Sequence, residues 1–329
     1  MRYCDKGLGA LKAAHPRESA VGVTAMAVAN VILGTSSLYW HALGDVSPTT
    51  LLGYRILVSL ATLCVALVWL GRVRAALEAA SNVRLVVIHL AAAVLVCTNW
   101  LAFIWGSIHG RVLETGLGYL IAPAVTIALG AMVMRERLGR VRGVALVVCL
   151  LGVVFLILRS SELEWWVYVT IGMTWGVYSF LKKLTTADPV TGLTLETALL
   201  AVGTVAVAVV AGSSYSLDPG PAAGATEIAL LAMCGLVSVT PLWLISFGAK
   251  KITLNVSGFV QYVLPTTQFV VALVFYGQRP SGNTVLCFVV VWLSLVSIVV
   301  DSMLRARRSS VAVEASSAAK THEKGTRLP

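Results

Sequence analysis

Charge is scarce in this sequence: only 12% of its 329 residues are Asp, Glu, Lys or Arg, while 58% are hydrophobic and mean hydropathy is +0.86. A soluble domain carries about a quarter charged residues to cover its core, so a water-exposed enzyme or binding module is excluded and the bilayer is the expected solvent. Acids are the rarer sign, 15 Asp+Glu against 25 Lys+Arg, for a net charge of +10. The basic residues fall in short clusters between apolar runs and form no continuous face, which argues against nucleic acid as a partner. A GxxxxGK[ST] phosphate loop is missing, and no polar stretch is long enough to hold ATP, which excludes an ATP-driven pump. The six cysteines (Cys4, Cys64, Cys97, Cys149, Cys234, Cys287) show neither CxxC nor Cys/His spacing. Five lie in apolar runs, where Cys acts as a small hydrophobe, so no metal and no cofactor are expected. A cleavable signal peptide is not expected either, because the first apolar run begins near Val21 and further runs follow it.

What the sequence has is long apolar runs. A span needs about 20 mostly apolar residues. Ten candidates lie near 21–40, 49–70, 85–107, 113–134, 141–158, 165–181, 191–212, 227–249, 254–276 and 284–304. With a cytoplasmic N-terminus, the inner segments hold 21 Lys+Arg and the outer loops three (Arg111, Arg159, Arg279), with Arg55 inside a span. The positive-inside rule then places both termini in the cytoplasm. Residues 1–20 and 305–329, rich in Ala, Ser and charge, read as disordered cytoplasmic tails, with Arg305, Arg307 and Arg308 against anionic headgroups.

The ten spans divide into two repeats, 21–160 and 161–304. An offset of 142 takes Gly34 to Gly176, Thr98 to Thr240, Gly106 to Gly248, Gly116 to Gly258, Pro123 to Pro265 and Arg137 to Arg279. An offset of 141 takes Pro48 to Pro189 and Arg55 to Glu196. Five spans per copy reverse the second copy in the bilayer, so the fold class is an all-α integral membrane protein of two inverted five-helix repeats, an architecture of secondary transporters. The alternative is ten unrelated helices.

Pro123 and Pro265 each fall near the middle of a span and free a carbonyl, at Tyr119 and Gln261. They read either as packing kinks or, beside Gly116, Gly118 and Gly258, as the walls of a binding cavity. Asn99, Trp100, Tyr119, Trp175, Tyr178, Gln261 and Tyr262 form the candidate substrate-binding set; the substrate is placed near the midplane between spans three, four, eight and nine, against Asn99, Trp100, Tyr119, Gln261 and Tyr262, with Trp175 and Tyr178 in span six. Asn99, Trp175 and Gln261 lie too deep for an interfacial role, and an aromatic wall with a few amides suits a flat, weakly polar or zwitterionic ligand. Trp40, Trp69, Trp165 and Trp166 read as interfacial belts.

Three charges form the candidate gating set. Arg55, about seven residues into span two, either pairs with Glu114 as an external gate or snorkels to the headgroups. Glu196 is either a proton-titrating group, which would make the proton the coupling ion, or an interfacial anchor. His89 stands alone and reads as structural.

At Asn99-Trp100, Phe103-Ile104-Trp105, Leu113-Glu114, Leu117-Gly118-Tyr119, Ile121-Ala122-Pro123, Gly258-Phe259-Val260-Gln261-Tyr262 ahead of Pro265, and Tyr276-Gly277 near Arg279-Pro280, the chain resembles the RarD-type permeases of the EamA branch of the drug/metabolite transporter superfamily. The resemblance spans about residues 20–305. It implies ten helices in two inverted halves, a bacterial inner-membrane location, and movement of small metabolites or drugs, with chloramphenicol the name attached to the group. Two positions depart from the pattern: Leu33-Gly34 replaces the Trp-Gly that Trp175-Gly176 keeps, and Ala122 replaces the Asn before the span-four proline.

A secondary transporter exporting small molecules, in contact with lipid and a small-molecule substrate, is the leading reading. A lipid flippase is the alternative. An integral-membrane enzyme on lipid or prenyl substrates ranks lower, since its chemistry needs clustered acids, a metal site or a nucleophile beside a base. Oligomeric state is not encoded in any motif. The topology makes a direct prediction: in intact cells an impermeant thiol reagent labels a cysteine engineered at position 220 and spares one at 315, and the reverse pattern overturns the orientation.

Overall fold

The structure, a computed structural model, describes residues 16–133, 139–159, 163–211, 217–220, 224–252, 256–257, 260–294, 296–297 and 300. These form helices α1 (Pro16–His41), α2 (Pro48–Trp69), α3 (Val73–Ser81), α4 (Val83–Ile108), α5 (Val112–Val133), α6 (Arg140–Arg159), α7 (Trp165–Leu184), α8 (Pro189–Ala211), α9 (Ala225–Ala249) and α10 (Val263–Val274). A further helix, α11, covers Gly282–Ser294. No strand occurs among the described residues. The C-terminal tail, Gly258, Phe259 and Arg137 lie outside the described residues, whereas α1 already begins at Pro16, inside the expected N-terminal tail.

Six of these helices are long and apolar enough to cross a bilayer: those over Glu18–His41, Pro48–Trp69, Val83–Ile108, Val112–Gly130, Pro189–Val210 and Ala225–Ala249. Helix α7, also 20 residues, carries Trp, Tyr and Thr along its length and ends in Lys182 and Lys183. The nine-residue α3 was expected as loop. It is a short helix between two spans, with Arg74 bonded to Glu78 one turn on.

The distribution of polarity identifies the solvent. Val65, Val68, Trp69, Val144, Val202 and Val210 are exposed, whereas Asn30, Ser37, Ser59, Asn99, Ser107 and Gln268 are buried. An apolar exterior around a polar interior suits lipid, which provides no hydrophobic force between helices and no partner for a polar group. Small hydroxyls therefore turn inward on their own backbone, as where Thr62 Oγ1 donates to Val58 O (2.8 Å) and Thr194 Oγ1 to Val190 O (2.8 Å). Helix α2 starts on a Ser-Pro pair, with the Thr50 amide donating to Ser47 Oγ (3.1 Å) and Pro48 in the first turn.

Helix contacts follow the small residues. Helix α5 packs on α7 and α10, α1 on α9 and α10, α4 on α7 and α8, and α2 on α8 and α9. At Gly176 a Cβ would lie 2.6 Å from Val125 Cβ and 2.8 Å from Ala122 O; at Gly34 it would lie 2.6 Å from Thr267 Cβ and 3.1 Å from Leu264 O. Hydrogen at these two positions lets the backbones touch. Nothing lies within 4 Å of the same atom built on Gly143. Gly176→Ala and Gly34→Ala should each destabilise the folded bundle by about 1–3 kcal/mol, while Gly143→Ala should be neutral or up to about 1 kcal/mol stabilising through helix propensity. Thermal melts in detergent check this, and equal melting of all three variants would show that the contacts yield without cost.

Candidate functional site

The two helix-breaking prolines behave differently. Helix α5 runs uninterrupted through Pro123, whereas the helical segment before Pro265 gives way to a turn at Gln261 and Tyr262, and α10 restarts at Val263. The carbonyl expected to be freed at Gln261 accepts the Leu264 amide at 3.2 Å, so the backbone at this break is satisfied locally. The amide of Gln261 is not: its Oε1 is buried with no hydrogen-bond partner among the described residues.

From that interior a chain of polar and aromatic groups can be followed along the bundle. Asn99 on α4 is fully buried and donates through Nδ2 to Ile171 O (3.3 Å) and Thr174 Oγ1 (3.2 Å) on α7, and its Oδ1 accepts from Tyr119 OH on α5 (2.9 Å). Three helices are thus tied by one amide. Tyr119 meets Phe103 (6.0 Å between centroids) and stands edge-on to Trp175 (5.6 Å), which stacks on Tyr178 (5.5 Å). Tyr178 OH donates to Glu196 Oε2 on α8 (3.2 Å).

Glu196 is 2% exposed and fully engaged. Its Oε1 accepts from Lys182 Nζ (2.9 Å) and lies 2.7 Å from His89 Nδ1, whose other ring nitrogen meets Thr185 Oγ1 at 2.8 Å. His89 is therefore not an isolated structural residue; it is the carboxylate's partner from α4. Positions 89 and 196 are 107 residues apart, and no local spacing links them. Next to this group, Asp188 caps α8 through the Thr191 amide (3.3 Å) and faces Arg72 at 4.0 Å. Its carboxyl sits below the usual carboxylate range: partial burial pushes it up, but the hydrogen bond from the Thr191 amide and the Arg72 and Lys250 charges outweigh that.

At the other end, the expected Arg55–Glu114 pair is not formed. Glu114 is held by Arg111 (3.2 Å), one turn back, and Arg111 also reaches Glu164 (3.8 Å). A residue three positions away captures the carboxylate more readily than one on another helix. Arg55 does not snorkel. It is 3% exposed and lies between two indoles, its Cζ 4.0 Å from the Trp100 ring centroid and 4.9 Å from that of Trp40. Trp40 was expected in an interfacial belt and is instead fully buried, because the chain after α1 turns back and buries Leu43 and Val46 beside it. Trp69 and Trp165, in contrast, are exposed.

Near Arg111 the α10–α11 loop grips its neighbours. Gln278 Nε2 donates to Gly110 O, its Oε1 accepts the Leu113 amide (3.0 Å), and Tyr276 OH donates to Ser37 O (2.9 Å). Tyr262 stands apart from the Asn99 group. It packs with Leu117, Leu120, Tyr168 and Phe288 in a second core cluster, so the structure brings Asn99, Trp100, Tyr119, Trp175 and Tyr178 together and leaves Tyr262 out. The buried polar and aromatic group described above, with Arg55 and Glu196, thus draws on spans two, three, four, six and seven, whereas the expected placement was between spans three, four, eight and nine. A separate cavity of about 490 Å³ opens between α6 and α11, lined by Val144, Val148, Leu293 and Ser294 and by none of the residues above.

These contacts make a thermodynamic prediction. In a double-mutant cycle His89→Ala and Glu196→Gln should couple by about 0.5–3 kcal/mol, whereas Arg55→Gln and Glu114→Gln should add to within about 0.5 kcal/mol. Unfolding free energies in mixed micelles measure both cycles, and the opposite ranking would contradict the pairing described.

Comparison with known proteins gives one consistent answer. The chain is 32% identical over 221 residues to the protein RarD of Escherichia coli, covering 66% of this chain and 73% of that protein. It is 29% identical over 299 residues to RarD of Salmonella typhi, covering 89% and 99%. To the uncharacterized transporter YojE of Bacillus subtilis it is 28% identical over 281 residues, covering 84% and 93%. A solved crystal structure at 17% identity superposes with a TM-score of 0.60 over 86% of this chain and 97% of that one, which establishes a shared fold. No family profile matches the chain.

Proposed function

The chain belongs to the RarD-type permeases, and from that premise we propose that it is a secondary transporter exporting small metabolites or drugs across the bacterial inner membrane by alternating access. The observation that carries this reading is the buried line Asn99–Tyr119–Trp175–Tyr178–Glu196. Such a line of amide, aromatic and charged groups is costly in a lipid-embedded core and repays its burial when a solute moves along it.

The packing supports two inverted five-helix repeats. Exchanging α1, α2, α4, α5 and α6 with α7, α8, α9, α10 and α11 turns the contact α1–α9 into α7–α4, α1–α10 into α7–α5, and α2–α9 into α8–α4, all of which occur. The close approach of Gly34 to Leu264 O and Thr267 becomes that of Gly176 to Ala122 O and Val125, each shifted by 142 residues. Two such halves around one interior can rock so that the interior faces each side in turn.

In this reading Asn99, Trp100, Tyr119, Trp175 and Tyr178 form the wall that the cargo passes. The Gln278 and Tyr276 grip on Gly110, Leu113 and Ser37 closes the external end, and the turn at Gln261 and Tyr262 is the hinge that lets α10 move. Glu196, already exchanging hydrogen bonds with His89 and Lys182, is the group that a coupling proton would visit when the inner end opens to water.

Comparing intracellular and extracellular metabolites in deletion and overexpression strains tests the function, because an exported compound moves oppositely in the two. Tyr119→Phe removes the hydrogen bond to Asn99 and should slow efflux of that compound about tenfold while the protein still inserts. If no metabolite moves and reconstituted protein scrambles lipid, the flippase reading replaces this one.

A further inference from the structure

Arg55 is the one buried charge of the described spans that no opposite charge balances. Both buried carboxylates are already taken, Glu114 by Arg111 and Glu196 by Lys182 and His89. The Arg55 Cζ lies over the rings of Trp40 and Trp100, which attract the cation but provide no hydrogen-bond acceptor atom for its N–H groups. Arg55 Nε and Nη1 are buried with no hydrogen-bond partner among the described residues. The same holds for Trp40 Nε1, another group that can only donate, and for the Ser59 hydroxyl one helical turn along α2. Ser238, also unpartnered, lies one turn along α9 from Cys234, and Cys234 is within electrostatic reach of Arg55. Six further buried polar atoms, on Asn30, Tyr168, Thr191, Gln261 and Gln268, are also without a hydrogen-bond partner among the described residues; what sets the Arg55 group apart is the buried cation at its centre.

We propose that Arg55 is an anion-recognition residue and that the cargo is a flat organic monoanion whose carboxylate binds the guanidinium and whose apolar body lies against Trp100 and Tyr119. This rests on the transporter reading and specifies its substrate class. One unbalanced positive charge matches one negative charge, which favours a monocarboxylate over a phosphate dianion. The remainder of the ligand is neutral, since both buried carboxylates already hold cations and neither is free to take a ligand ammonium. Arg55 touches Trp40 and Trp100, so a ligand there contacts helices of the first half while Tyr119 and Trp175 lead it toward Glu196. An aromatic face beside a guanidinium with in-plane donors is suited to carboxylate recognition by hydrogen bonds that a neutral isostere cannot replace.

The test uses the full chain in nanodiscs and ligand-induced thermal shifts with benzoate, phenylacetate and indole-3-acetate, each beside its primary amide, with sodium chloride as the inorganic control. Saturable binding of at least one carboxylate, at least tenfold tighter than its amide, is expected. Arg55→Gln should abolish that preference and Arg55→Lys should keep a weakened one. Because removing an unpaired buried charge relieves desolvation, Arg55→Gln should fold and melt no lower than the parent, which keeps the loss of binding interpretable. Amides that bind as well as carboxylates, no carboxylate bound at all, or undiminished carboxylate binding by Arg55→Gln would each overturn the proposal. Chloride competing as well as the carboxylates would overturn it too, by showing an inorganic-anion site. Binding needs no flux, so the two readings fail separately. Carboxylate binding without efflux in proteoliposomes contradicts the transporter alone. Efflux of a neutral compound with no carboxylate preference contradicts the anion site alone.

Discussion

Lipid offers no hydrogen bonds, and this constraint shapes the whole molecule. Every donor and acceptor placed in the bundle interior has to be answered by another protein group or by something the protein carries. The serines and threonines answer it locally by bonding back to their own helix. Asn99 answers it across three helices, and Glu196 by gathering His89, Lys182 and Tyr178 from two others. Each answer also fixes a helix position that no hydrophobic force would fix in a bilayer. The glycines complete the arrangement, because backbones that touch gain packing where burial of apolar surface gains nothing.

Seen this way, the two ends of the aromatic line are not equivalent. The Glu196 end is a satisfied charge cluster, its carboxylate held by His89, Lys182 and Tyr178. The Arg55 end is an unsatisfied cation, flanked by indoles that soften its desolvation without meeting its donors. A solute that completes one end and disturbs the other has a reason to move between them.

Much of this was legible in the sequence because it is written in composition and position. Apolar length located the helices, and the 142-residue offset that pairs Gly34 with Gly176 finds the same backbone approach at both places. Asn99, Tyr119, Trp175 and Tyr178 stood out because such side chains are expensive at that depth, and they meet one another. What was not legible depended on direction. Trp40 ends a helix as a belt tryptophan does, and only the backward turn of the chain after it puts it over Arg55. His89 and Glu196 share no spacing, so their contact emerges only from the packing of α4 on α8. Glu114 lies at a depth compatible with Arg55, yet Arg111 is nearer. Paired prolines suggested paired breaks, but α5 absorbs Pro123 and only the segment ahead of α10 turns.

Whether the Tyr119 level of this line is a passage or a packing core can be decided by its access to water. With the six native cysteines replaced by serine, Tyr119→Cys in oriented vesicles would be exposed to an impermeant thiol reagent from each face in separate experiments. A passage that alternates gives modification from both faces, each slowed by the cargo that metabolite profiling identifies. A cysteine that reacts from neither face would contradict it and leave the Asn99–Glu196 line as structural packing.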